Sequence, residues 1–279
     1  MQANLLAVLK ESSKITFLVF LMMVAVDWVN VFSRGEMSKL AKGGHWRQYL
    51  TASFLGVTPG CLGAFMNVTL YCHGLLSLGA IVGGMIATSG DEAFVMLSLF
   101  PGKALLLFGL LFLMGLGFSW VTDRLIPLLK LRPSQPCQLQ EFHPHQVSWR
   151  HYMREHVLDH ILKKHLWRVF FWTFFVLLFI KIGLPYLNLE TLISRNLLLI
   201  LLISGLVGLI PESGPHLVFV MMYTQGIIPF SILLTSSFVQ DGHGMLPLIA
   251  YTPRDALRIK LFNLVFGLGV GALFFTLGW

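Results

Sequence analysis

Charge is what this sequence has least of: only 12% of its 279 residues are Asp, Glu, Lys or Arg, while 56% are hydrophobic. A soluble domain carries roughly twice that charged share, and a chain of this size needs a polar shell around the core it buries. The missing shell excludes a soluble globular domain. Cysteine is scarce as well. Cys61, Cys72 and Cys137 are an odd count with no framework spacing, so no disulfide scaffold is implied. A P-loop is also lacking, so any work the chain does is expected to draw on a gradient and not on ATP.

What the chain does have is long apolar runs. Ile15–Phe32 is interrupted only by Thr16, Asp27 and Asn30, and neither Ala104–Val121 nor Asn263–Trp279 contains a charge. Roughly 20 apolar residues cross a bilayer core as a helix, so the expected fold is all-α, a polytopic transmembrane protein. Ile15–Phe32 is too long for a signal-peptide core and lacks a small-residue cleavage site, and it reads as a retained span. The formal charge of +7 could point to nucleic acid, but in membrane proteins basic residues mark cytoplasmic loops. One such loop holds Arg34, Lys39, Lys42 and Arg47; another holds Arg124, Lys130, Arg132, Arg150, Arg154, Lys163, Lys164 and Arg168. Both are expected in the cytoplasm, with the lipid bilayer and not nucleic acid as the chain's surroundings.

An internal repeat organises the sequence. Offset by 152 residues, Gly56, Pro59, Tyr71, Gly74, Gly90 and Pro101 fall on Gly208, Pro211, Tyr223, Gly226, Gly242 and Pro253. Val68, Ala104 and Leu105 fall on Val220, Ala256 and Leu257. Most of these matches are residues that set backbone geometry, which chance similarity between apolar spans does not favour. The expected plan is a first transmembrane repeat over 1–121, a basic, His-rich cytoplasmic loop over 122–166 and a second repeat over 167–279. Between the two basic loops lie three apolar stretches, 48–73, 75–100 and 104–121. Two cytoplasmic loops need an even number of crossings, so one of the first two stretches should be split or re-entrant. Thr58-Pro59-Gly60 and Ser89-Gly90-Asp91 mark the breaks. Five elements per half make an inverted repeat with broken helices, an arrangement found in secondary transporters.

The chemistry is expected at those breaks. An intramembrane charge is costly and marks function by default. Of the carboxylates away from loops, Asp91, Glu92, Glu212 and Asp241 lie at breaks, in register across the repeat. Freed backbone groups are tolerated at membrane depth only around a polar cavity, and half-helix C-termini favour a cation. Asp91, Glu92, Glu212 and Asp241 with neutral His243, and with Ser89, Gln240 and Thr88 as further oxygens, suit a divalent ion such as Mn²⁺, with Mg²⁺ or Fe²⁺ as alternatives. With no Lys or Arg at the breaks, an anion is disfavoured. Plainer readings compete. Glu92 or Glu212 could pair with Lys181 or a histidine, His73 and His216 could be packing residues, and Asp27 lacks a repeat partner. Cys61 is more commonly a small buried hydrophobe than a soft ligand. His143, His145, His151, His156, His160 and His165 crowd the central loop, where a solvated helix is the commoner outcome than a metal site.

The segments GVTPGCLGAF (56–65), LYCHG (70–74), GGMIATSGDEAF (83–94) and FVQDGHG (238–244) resemble the ten-transmembrane heavy-metal exporters, a family also described as manganese transporters. The resemblance implies export of a divalent metal, manganese foremost, by a non-enzymatic carrier in the bacterial inner membrane. Protons are expected to return on the same carboxylates, because a cation binding a protonated acid must displace its proton. Two other functions compete: an intramembrane aspartyl protease with Asp91 and Asp241 as its dyad, and an arsenical or anion permease using Cys61.

Overall fold

The computed structural model describes residues 44–72, 74–131, 167–178 and 196–279, with short helical pieces between 5 and 21. Asp27, His73, Cys137, Lys181 and the six loop histidines lie outside the described residues. Every regular element among the described residues is helical.

Both stretches expected to carry a break are broken. The first is a hairpin of α1 (His45–Val57) and α2 (Leu62–Cys72). Asn67 Nδ2 donates to Ala52 O at 2.9 Å, and a Cβ on Gly63 would run into Leu55 O, so the two helices lie antiparallel and close. The tip spans Thr58–Cys61. Pro59 lacks an N–H and pushes Thr58 out of helical geometry. Gly60 then takes φ +96, a conformation that side chains resist. Thr58 Oγ1 donates to the Leu55 carbonyl at 2.6 Å, covering one acceptor that the ended helix leaves open.

The second stretch is a discontinuous pass of α3 (Leu78–Ile86) and α4 (Glu92–Leu99). Ser77 caps α3 by accepting from Ala80 N at 3.0 Å, and Gly90 at φ +58 lets the chain re-form a helix after the break. Nine residues of α3 extend only about 13 Å, less than half of a bilayer core. Through Phe100, α4 leads directly into α5 (Pro101–Leu128), which returns alongside both pieces. Small residues let α3 and α5 touch. A Cβ on Gly83 would run into Gly115 O and Ser119 Oγ, and one on Gly79 into Ser119 O, the close approach typical of membrane helix pairs. The last apolar stretch, expected to end at Val121, runs on as helix to Leu128. Its extra turn holds Asp123, whose charge is covered by Tyr49 OH at 2.7 Å, Ser77 Oγ at 2.7 Å and Gly79 N at 2.8 Å.

After α6 (Trp167–Leu178) come α7 (Leu197–Gly208), α8 (Leu217–Thr224), α9 (Phe230–Val239), a 3-10 turn at Gly242–Gly244, α10 (Met245–Tyr251) and α11 (Pro253–Thr276). The long helices α5 and α11 begin at Pro101 and Pro253, and the left-handed glycines Gly74 and Gly90 have counterparts in Gly226 and Gly242. Contacts recur at the same offset. A Cβ on Gly56 would press on Ala87 and one on Gly208 on Val239; one on Gly115 would meet Ala87 and one on Gly267 would meet Val239.

Among the described residues the exposed faces are rich in large apolar side chains, and the largely apolar interior also holds buried polar groups. Leu105, Leu113, Leu198, Leu257, Val265 and Leu273 are exposed, while Ser53, Asn67, Thr88, Ser89, Asp91, Glu92, Gln240 and Asp241 are buried. In water this distribution would be unstable; in lipid it is the expected one. By length and composition, α5 and α11 are each able to span a bilayer.

Candidate metal centre

The tip of the α1–α2 hairpin touches the α3–α4 break, with Gly60 N donating to Gly90 O at 3.0 Å. The break between α9 and α10 meets the same place from the other half of the chain. Gln240 Nε2 donates to Thr88 O at 3.1 Å across 152 positions, and a Cβ on Gly242 would lie 3.8 Å from Gly90 Cα. The two left-handed glycines, Gly90 at φ +58 and Gly242 at φ +56, bring the two backbones within van der Waals reach of each other. Segments far apart in sequence thereby meet at a buried point lined with polar groups.

Three side chains there have metal-ligand geometry. Cys61 Sγ stands 3.2 Å from Asp91 Oδ1, to which its thiol donates, and 3.8 Å from His243 Nδ1. The sulfur, a carboxylate oxygen and an imidazole nitrogen all lie within 4.8 Å of one another, and all three residues are buried. Glu212 reaches the cluster from behind, with its Oε1 3.0 Å from His243 Nε2. A carboxylate on the far nitrogen of a histidine orients the ring and leaves the near nitrogen to a ligand, the usual support of a metal-binding imidazole.

At the breaks lie buried oxygens without a well-formed hydrogen bond among the described residues: both carboxylate oxygens of Glu92, with which the Ser213 hydroxyl interacts, and Ser89 Oγ and Gln240 Oε1. A Cβ on Gly90 would lie 2.6 Å from Glu92 Oε2 and 3.1 Å from Ser213 Oγ, and one on Gly242 would lie 3.3 Å from Ser213 Oγ and 3.8 Å from Gln240 Oε1. Orphan acceptors are costly in a low-dielectric interior, so their concentration at one point marks a place shaped for a ligand.

The residues expected to bind metal thus divide by surroundings. Asp91 and His243 enter the three-residue cluster, Glu212 supports His243, and Glu92, Gln240 and Ser89 are buried at or beside the breaks without well-formed hydrogen bonds to those oxygens. Asp241 is held by α11. Its Oδ2 takes Lys260 Nζ at 2.6 Å and its Oδ1 takes Asn263 Nδ2 at 2.9 Å. This corrects the expectation that no cation attends the breaks: Lys260 arrives from α11, far along the chain. Asp241 is paired with an ammonium and an amide, partners that suit a charged carboxylate better than a proton shared with Asp91, and this weighs against the aspartyl dyad. Cys61, expected as an apolar filler, is in the cluster. Its signal was its place beside a Pro-Gly break, and Ser213 occupies the corresponding place in the other half. His216 is buried with Nδ1 3.2 Å from Ser236 Oγ, the packing role that competed for it.

Comparison with curated proteins and with solved structures finds no match. A family model does match, over residues 10–181 and 147–278, together nearly the whole chain. Its members are multi-span membrane transporters of heavy metals, and neither an enzyme's active site nor a soluble fold is implied. The chain belongs to the family described as "Putative, 10TM heavy-metal exporter".

Proposed function

We propose that this protein exports a divalent heavy metal of borderline softness, Zn²⁺ or Cd²⁺ in chemistry, through the Cys61–Asp91–His243 cluster. The observation that carries the reading is the thiol. Sulfur, imidazole and carboxylate together select zinc-like ions, whereas manganese is served by oxygen donors alone. Manganese, the metal expected from the sequence, keeps support from the oxygens of Glu92, Ser213 and Gln240, and it is the comparison ion in the test.

The transport cycle follows from where the cluster is built. Each ligand comes from a hairpin tip or a helix break, and these come from both halves of the chain. We read those halves, 1–121 and 167–279 about the basic loop 122–166, as an inverted repeat. A hairpin adds no crossing, so the α3–α4 pass and α5 make two between the basic loops, which keeps both loops on one side. Two contacts support the inversion. Tyr71, at the end of α2, donates to Asp255 at the start of α11 at 2.7 Å, and Tyr223, at the end of α8, packs on Phe100 just before α5 at 5.4 Å. Each hairpin end therefore meets the other half's long helix at its beginning. Rocking of such halves exposes a central site to the two membrane faces in turn. Metal enters from the cytoplasm of a bacterial inner membrane, displaces the thiol proton as it binds, and leaves outward in exchange for a counter-cation. Protons are the counter-cation the sequence suggests.

The test is cell-associated metal in a metal-sensitive bacterial strain expressing wild type, Cys61→Ala, Asp91→Asn or His243→Ala at equal membrane abundance. Wild type is expected to lower cellular Zn²⁺ or Cd²⁺ and each variant to lose that effect. Export of manganese alone, unchanged by Cys61→Ala, would overturn the assignment.

A further inference from the structure

The cluster accounts for sulfur and nitrogen but leaves the buried oxygens at the breaks unexplained. Glu92 is 2% exposed, Ser213 5% and Gln240 0%. Neither oxygen of Glu92 makes a well-formed hydrogen bond among the described residues, nor does Gln240 Oε1, and the Ser213 hydroxyl interacts with the Glu92 carboxylate. These groups surround the approach of Gly90 and Gly242. Glu92 Oε2 and Ser213 Oγ are 2.6 and 3.1 Å from the Cβ position of Gly90, and Ser213 Oγ and Gln240 Oε1 are 3.3 and 3.8 Å from that of Gly242. Gln240 is oriented by its neighbour: its NH₂ must face the Thr88 carbonyl, which only accepts, so its own carbonyl oxygen is left as an acceptor.

We infer that Glu92, Ser213 and Gln240 form a second cation site beside the heavy-metal cluster, and that it takes Na⁺. The donor set is all oxygen, which hard cations prefer and zinc-like ions do not. Its charge is a single carboxylate with neutral dipoles, which balances one positive charge. The neighbouring acids are engaged elsewhere, Asp91 with Cys61 and Glu212 with His243, and Lys260 is held on Asp241. A proton on Glu92 would serve one acceptor only and leave Gln240 Oε1 orphaned, whereas a metal ion binds all three at once. Broken helices that place such oxygens at mid-membrane are where coupling Na⁺ ions sit in secondary transporters. The inference rests on the export reading, for which sodium is then the counter-cation.

The experiment uses the whole purified protein. Equilibrium binding of ²²Na⁺ in detergent, at fixed pH with choline as the replacing ion, is expected to be saturable in wild type. It should weaken about tenfold or more in Glu92→Gln, because the only formal charge of the site is gone, and measurably in Ser213→Ala, which serves should Glu92→Gln not fold. In proteoliposomes loaded with Cd²⁺, an opposing Na⁺ gradient at equal pH is expected to speed metal movement several-fold over choline. Cadmium movement that responds to a pH gradient and ignores sodium overturns this inference and leaves the export reading standing. No metal movement under any gradient overturns the export reading, and ²²Na⁺ binding then decides the site by itself. Sodium binding that survives both substitutions overturns the site.

Discussion

The pairing of Asp241 with Lys260 sets up a sharp stability test, because it moves a carboxylate from the ligand list to the scaffold. Asp241 is fully buried, Lys260 is 8% exposed, and Nζ and Oδ2 are 2.6 Å apart. Removing one member of a buried pair strands the other charge at a cost of about 3–5 kcal/mol, whereas replacing both is often close to neutral. Lys260→Met keeps the aliphatic stem and removes the ammonium; Asp241→Asn keeps the shape and removes the carboxylate. Each single variant is expected to lose about 3 kcal/mol, and at roughly 2 °C per kcal/mol for a chain of this size its Tm should fall by about 6 °C. The double variant should recover most of that loss, which against about 6 kcal/mol for additive single losses is a coupling of about 5 kcal/mol. Thermal unfolding of the detergent-purified proteins, followed by tryptophan fluorescence, reads all four corners of the cycle. Additive losses in the double variant would refute the pairing. A folded double variant that no longer binds Cd²⁺ would refute the scaffold role and return Asp241 to the metal.

Other substitutions separate chemistry from packing. Cys61→Ser replaces sulfur by oxygen and is expected to weaken Cd²⁺ binding roughly tenfold or more while changing Mn²⁺ binding little; competition against a chromophoric chelator measures both, and equal losses would contradict a sulfur ligand. Gly90→Ala meets a left-handed backbone and a Cβ 2.6 Å from Glu92 Oε2, so it should cost more than Gly226→Ala, which meets the backbone penalty of about 1–2 kcal/mol in open space. Comparable Tm shifts for the two would argue against close convergence at the breaks. Within α5, Gly115→Ala drives a Cβ to 2.6 Å from Gly83 O, whereas Gly117→Ala meets nothing within 4 Å. The first should destabilise, and the second should stabilise by up to about 1 kcal/mol through helix propensity; the reverse order of Tm values would refute the α3–α5 crossing.

How much of this was legible in the sequence depends on the kind of signal. Glycine and proline act locally, so Pro59, Gly60 and Gly90 announced their breaks without any knowledge of partners. The break positions were therefore readable, but not that the α1–α2 stretch turns back as a hairpin while α3 and α4 continue as one pass. That distinction is made by tertiary contacts such as Asn67 to Ala52. Asp91 and His243 stood out as polar residues at breaks. Asp241 stood out equally and yet is paired with Lys260 and Asn263, because the partner of a side chain at a break depends on what the long helix offers it. Lys260 and Asn263, one helical turn apart on α11, were the missed signal: a lysine inside an apolar span requires a carboxylate partner, and Lys260 lies 19 positions beyond the break it serves. Cys61 was misjudged because its commonest role is apolar, and composition does not reveal that its sulfur sits between a carboxylate and an imidazole.

The proposed halves keep their backbone and change their chemistry, and that difference bears on selectivity. Gly90 and Gly242 match in sequence and in left-handed backbone, and Pro59 matches Pro211 in sequence, although the chain after Pro211 does not repeat the left-handed turn of Gly60. At the corresponding positions Asp91 aligns with His243, Cys61 with Ser213, Thr88 with Gln240 and Glu92 with Gly244. The Gln240–Thr88 bond brings one such pair of positions together. Were the halves identical, that meeting point could offer only doubled ligands, two carboxylates or two thiols. Divergence at a few positions turns it into one sulfur, one nitrogen and one carboxylate oxygen, with the remaining oxygens displaced to the Glu92 side. A zinc-like ion and a hard monovalent ion then have separate donors a few residues apart, on elements that must move together when the halves rock. Exchange of one cation for the other follows from that shared movement, provided that the rocking motion cannot proceed with both donor sets empty.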